Sequence, residues 1–133
     1  QGNENIWEAW AGLNGIQVMF PLLFSEGVLK RKLSLPRLIA MMTYNPAKLF
    51  GLYPQKGALQ PGCDADIVLF NPEKTWTLQE EDLFSKHTHS PYIGKRITGA
   101  VDMTFLRGKL IYAQGDFKAS GGIGTFLRRQ EKS

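Results

Sequence analysis

A chain of 133 residues has room for one modest core, and 43% hydrophobic against 21% charged residues excludes a disordered, collagen-like or coiled-coil chain. The formal charge of +4 is scattered; its densest groups, Lys30-Arg31-Lys32 and Arg128-Arg129, lack interleaved aromatics and read as solvated helix ends and a basic tail, with no nucleic-acid surface. A single cysteine, Cys63, rules out an internal disulfide framework and suits a reducing, cytoplasmic compartment.

The first fifty residues are helical in pattern. Residues 5–10 are a predicted short helix running into the glycine- and asparagine-bearing stretch 11–15. From 16 to 29, Ile16, Met19, Phe20, Leu23, Phe24 and Val28 recur close to the stripe of one helix face. Pro21 fits that helix if regular structure begins there, where its missing N–H costs nothing. Pro21, Ser25, Glu26 and Gly27 also make the run too interrupted and too polar to span a membrane. Ser34 supplies an N-cap, with Pro36 in the first turn and Leu35, Leu38, Ile39 and Met42 on one face. Asn45-Pro46 caps and starts a third helix that ends at Gly51.

Beyond Gly51 the texture turns to β. Lys56-Gly57 and Pro61-Gly62 mark turns, and residues 65–70 form a predicted strand that Asn71-Pro72 ends. Thr75-Trp76-Thr77 reads as a second short strand, residues 78–84 as one acidic helical turn, and 86–96 as an ordered loop. Residues 100–106 and 109–113 flank Arg107-Gly108 as a two-residue hairpin. Gly115 closes it. The glycine-rich remainder, from about 117, reads as a loose tail that lies over the body through Phe126 and Leu127. About four strands are few for a self-sufficient sandwich, and the helices have no sheet of their own to cover. Both halves look unfinished. The chain, beginning at Gln1 in a polar stretch, therefore reads as a piece of something longer.

No catalytic constellation emerges from the residues. His87 and His89 are the only histidines; one pair without a third ligand, in a loop, reads as surface rather than as a metal site. Cys63 has no nearby partner base, and Gly121-Gly122-x-Gly124 lacks the strand and Lys-Ser/Thr of a phosphate loop. Glu80-Glu81-Asp82 suits a helix N-terminus. Of Asp64 and Asp66, beside a strand start, one is expected to face outward and one to accept backbone hydrogen bonds. The stretch 10–17, with two glycines and an asparagine between helices, can bring backbone groups near a ligand or simply make a tight connection.

Three motifs resemble the amidohydrolase superfamily, in its branch of dihydroorotases, hydantoinases and allantoinases. Asn45-Pro46-Ala47-Lys48-Leu49-Phe50-Gly51-Leu52 is similar to the helix that ends the barrel. Lys56-Gly57-Ala58-Leu59-Gln60-Pro61-Gly62-Cys63-Asp64-Ala65-Asp66-Ile67-Val68 resembles its Pro-Gly-x-Asp-Ala-Asp strand start, and residues 101–112 its terminal hairpin. Residues 5–17 and Lys86-His87-Thr88-His89-Ser90-Pro91-Tyr92-Ile93-Gly94 are similar to allantoinase stretches. The resemblance implies an α/β fold: residues 1–51 as the C-terminal closing helices of a (β/α)8 barrel, and 52–133 as the C-terminal share of a composite β-sandwich. It implies ring-opening hydrolysis of allantoin to allantoate in purine catabolism. The alternatives are a hydantoinase/dihydropyrimidinase or dihydroorotase relative, or a metal-free hydantoinase-like scaffold.

The resemblance further implies two divalent metal ions, zinc expected, bridged by a carbamylated lysine. All their ligands would lie upstream of Gln1, so no metal ligand and no catalytic residue is expected in this chain. Its implied share of the site is Gly12, Leu13, Asn14 and Gly15, facing a cyclic ureide chiefly through backbone groups. Whether the Asn14 side chain reaches the substrate is left open. The implied partners are the N-terminal portion of the same enzyme and like subunits, family members often being tetramers. Residues 1–133 expressed alone are expected to be poorly folded, because both layers expose apolar faces; a cooperative, monomeric melt of that piece would contradict the composite fold.

Overall fold

The computed structural model describes residues 5, 7, 12, 14–86 and 89–129. The short helix expected over residues 5–10 falls largely outside them. Residues 16–18 form a turn, in which Val18 N–H reaches Gly15 O and Met19 N–H reaches Ile16 O. The helix then begins as α1, Met19–Leu22, placing Pro21 in the first turn, where no N–H is needed.

From Leu23–Lys30 the same helix continues in π form. Arg31 N–H closes back on Glu26 O and Leu33 N–H on Gly27 O. α2, Leu35–Met42, starts after Ser34, which holds an extended N-cap conformation although its hydroxyl makes no capping bond. α3, Tyr44–Leu49, begins one residue ahead of Asn45 and places Pro46 in its first turn.

Four antiparallel strands follow in the order β1-β2-β3-β4: β1 Ile67–Thr77, β2 Arg96–Leu106, β3 Lys109–Ala113 and β4 Asp116–Phe117. Asn71-Pro72 does not end the first strand. The pairing Asn71↔Ala100 resumes at Thr75↔Thr98, so the intervening residues bulge out and the chain rejoins the same neighbour. The Asn71 carboxamide oxygen holds the bulge by accepting the N–H groups of Glu73 and Lys74. The two predicted strands are therefore one. The hairpin turn is as expected, with Arg107 at φ 48° and Gly108 at φ 77°, both positive as a type I′ turn requires. Glu80–Asp82 is a single 3-10 turn in which the Asp82 carboxylate accepts the Gln79 N–H.

The core lies where the first helix crosses the sheet. Val18, Leu78 and Ile97 are 1%, 0% and 0% exposed, with Leu22, Trp76, Leu83 and Tyr92 packed around them. Phe70 of β1 stacks on Phe20 and Phe24 of the helix, at centroid distances of 4.6 and 5.0 Å. β3 pairs with β2 only from Met103 onward. Nearer the start of β2, the buried Ser25 hydroxyl accepts the Thr98 N–H from the helix side. Beyond β4, residues 118–129 carry no helix or strand. Arg107 holds them through Ile123 O at 2.6 Å and Thr125 Oγ1 at 3.2 Å, while Phe126 stays 91% exposed. The mixed helix and sheet content is the α/β class expected.

Gly99, at φ 98°, is the tightest point of this crossing: a Cβ there would run into the Phe70 ring and lie 2.8 Å from Phe24 Cδ1. Gly99→Ala is expected to cost about 3 kcal/mol, from overpacking plus positive-φ strain. Urea denaturation of the full-length protein checks this, and an unchanged midpoint would contradict it.

Candidate functional site

Of the four residues implied to face a substrate, Leu13 lies outside the described residues. Gly12 is exposed at φ 93°, with open space where a side chain would sit. Asn14 and Gly15 are half-buried. They open a short segment, 14–17, that is stapled to the loop between β1 and β2. Asn14 Nδ2 donates to Ser85 Oγ at 3.3 Å and to His89 O at 3.4 Å. Asn14 O accepts from the Ser90 hydroxyl at 3.3 Å, and that hydroxyl in turn accepts the Tyr92 N–H.

Gln17 makes the second half of the staple. Its Nε2 donates to Asp82 O at 2.6 Å, and its Oε1 accepts the Phe84 N–H at 3.0 Å. A side-chain carboxamide offers one donor group and one acceptor in the spacing of a peptide unit, so Gln17 pairs with the loop as a strand would. A groove of about 490 Å³ runs from this junction over the sheet, lined by Asn14, Gln17, Phe84, Ser85, Tyr112 and Phe117 among others. Phe84, Tyr112 and Phe117 meet there edge to face.

The two stretches that the sequence singles out, around residue 14 and around residue 90, are thus one place in the fold. Their separation of more than 70 residues hid the contact. Nothing local in the sequence distinguishes Gln17, Ser85 or Ser90 as site residues beyond the Ser90-Pro91 turn signal. Elsewhere the expected pieces do not gather into chemistry. Among the described residues no three His, Cys, Asp or Glu side chains converge on a metal-sized position. His87 lies outside the described residues, and the His89 carbonyl is committed to Asn14. Cys63 donates its thiol to Pro54 O at 2.8 Å.

Asp64 and Asp66 are engaged structurally. The Lys56 ammonium sits between them, 2.8 Å from Asp64 and in contact with Asp66. Asp66 also accepts the Arg107 N–H at 2.8 Å, and Ala65 O accepts the Gly108 N–H. The acidic start of β1 therefore caps the β2–β3 turn. Asp66 takes the backbone bond expected of one of the pair, but Asp64 faces Lys56 instead of solvent. Burial works against the Lys56 charge, yet its hydrogen bonds to Asp64 and Asp66 outweigh that and raise its pKa above the usual lysine value. The hydrogen bond from Lys56 holds Asp64 below the usual carboxylate range.

The chain is similar to known proteins in both sequence and fold. A profile of the Amidohydrolase family matches residues 10–111. The L-hydantoinase of Paenarthrobacter aurescens is 37% identical over 129 residues, which is 97% of this chain and 28% of the relative. A D-phenylhydantoinase of Escherichia coli O1:K1 is 40% identical over 119 residues, 90% of this chain and 26% of the relative. Among solved structures, L-hydantoinase (dihydropyrimidinase) from Arthrobacter aurescens superposes with a TM-score of 0.89 at 37% identity, over 95% of this chain and 28% of that one. D-hydantoinase (dihydropyrimidinase) from Thermus sp. also gives 0.89, at 30% identity and the same shares. The chain spans little more than a quarter of the length of these relatives.

Lys56→Met tests the turn cap. The Asp64 contribution is present above the unfolded carboxylate value of about 3.9 and is lost as pH falls through its lower folded value; that of Lys56 is present below about 10.4 and is lost as pH rises through its higher folded value. The variant is therefore expected to melt several degrees below wild type between pH 5 and 9, with the gap closing below about pH 4. Thermal unfolding across that range decides it, and a pH-independent gap would contradict the assignment.

Proposed function

The chain belongs to the amidohydrolase family, and from that premise we propose that it forms the C-terminal portion of a metal-dependent hydrolase that opens cyclic amides, of the hydantoinase and dihydropyrimidinase type. The observation that carries this reading is the superposition on L-hydantoinase over 95% of the chain with a TM-score of 0.89. Hydantoinase names attach to relatives at 37% and 40% identity, which favours this reading over allantoinase. Those relatives are named for opposite hands, L and D, at nearly equal identity.

In this reading residues 1–51 close a barrel and 52–133 contribute to a sandwich. The rest of the longer protein, in a cytoplasmic homo-oligomer, covers the apolar faces that they leave exposed. The family generally binds divalent metals. Their ligands are assigned to that remainder, and no chemical step is carried by the residues described here. The contribution of this chain is to bind and orient. Gly12, Leu13, Asn14 and Gly15 present backbone groups to the amide edge of a small cyclic ureide or imide, where an exposed glycine lets the main chain come close.

The test is turnover by the full-length protein of hydantoin, dihydrouracil, dihydroorotate and allantoin. The highest kcat/KM is expected on hydantoin or dihydrouracil, with activity lost on chelation and restored by a divalent ion. Preference for allantoin would return the allantoinase reading. No hydrolysis by metal-supplemented protein would leave a scaffold protein of hydantoinase-like fold.

A further inference from the structure

We infer that Asn14 and Gln17 are positioning residues whose side-chain amides lock the proposed substrate-facing stretch onto residues 82–85 and 89–92, so that Ser85 and Ser90 govern how Asn14 and Gly15 are presented. The inference rests on the proposed role of that stretch and goes beyond it, because it places control of the site in a loop remote in sequence.

The Asn14 carboxamide turns to Ser85 Oγ and His89 O, and its main-chain oxygen is held by the Ser90 hydroxyl. Ser90 is only 5% exposed and is anchored in its own loop by the Tyr92 N–H. Three residues on, Gln17 grips the same loop at both Asp82 O and Phe84 N. Val18, next in sequence, is buried with Leu78 and Ile97, which fixes the far end of the segment. Between an anchored Val18 and a doubly clasped Asn14, the backbone of 14–17 has little freedom to shift. Each hydrogen bond is modest alone; together they define one geometry, which is what an oriented backbone site needs. These two bonds commit the Nδ2 group of the Asn14 side chain to the loop.

The experiment measures kcat and KM of the full-length protein on its best cyclic amide, together with hydrogen–deuterium exchange of peptides covering residues 12–18. The variants are Ser85→Ala, Asn14→Ala, the double variant and Ser85→Thr. Ser85→Ala is expected to raise KM about threefold and Asn14→Ala about tenfold, each with kcat changed less than about twofold. The double variant should be no worse than Asn14→Ala, since Ser85 acts through Asn14. Ser85→Thr keeps the hydroxyl and should restore wild-type KM. Exchange over 12–18 should rise several-fold in both alanine variants.

A silent Ser85→Ala beside an Asn14→Ala variant that loses kcat would overturn the lock and make the Asn14 side chain a direct substrate contact. Strictly additive effects would also overturn it. If the wild-type protein hydrolyses none of the cyclic amides, the proposed function fails on its own; the exchange data still decide the lock, and unchanged exchange in both variants refutes it.

Discussion

At Gly99 the rings of Phe24 and Phe70 occupy the volume that a side chain on β2 would need. Because that position is bare and takes a positive φ, the first helix can descend onto the sheet until its Ser25 hydroxyl reaches the Thr98 N–H. The Trp76 indole N–H reaches the Gly99 carbonyl from β1. A sheet normally meets a helix across a layer of side chains; here backbone and helix share a hydrogen bond. The descent closes Val18 over Leu78 and Ile97. It also sets the position of the four residues ahead of Val18, so the staple of Asn14 and Gln17 depends on a glycine more than 80 residues away.

The tight crossing contrasts with the surfaces around it. Leu49 is 77% exposed, Phe50, Leu59 and Phe117 are also open, and Leu35, Ile39 and Met41 stand partly bare on α2, although that helix carries the pattern of one built to bury a face. A small sealed core flanked by bare faces is the physical form of the two unfinished halves read from the pattern. Lys56 and its two aspartates matter in this setting, because they tie the 53–66 segment to the β2–β3 turn without drawing on a hydrophobic core.

Legibility followed range. Signals that act within a few residues were readable: Pro21 marking the first turn, Ser34 heading α2, Arg107-Gly108 forming the hairpin. Signals that depend on a distant partner were not. Asn71-Pro72 says stop locally, and only the long neighbour β2 on its flank lets β1 absorb the interruption as a bulge. Gly99 sits at the edge of an apparent loop, and nothing nearby in sequence announces the two rings it makes room for. The staple is the clearest case. Residues 5–17 and 86–94 read along the chain as two separate stretches, whereas the fold brings their Asn14 and Ser90 into contact. They are one structural feature.

The chemistry of the staple fits a site that has to keep its shape. Carboxamides carry donor and acceptor together and do not titrate, so Asn14 and Gln17 hold the loop without bringing charge to a place where a polarised amide and metal ions are proposed to meet. The ionic cluster of Lys56, Asp64 and Asp66 is instead devoted to a hairpin turn, where the shifted Lys56 and Asp64 tie stability to pH. Orientation by neutral amides and cohesion by charge are thereby separated: the bonds of Asn14 and Gln17 to the loop involve no charged side chain.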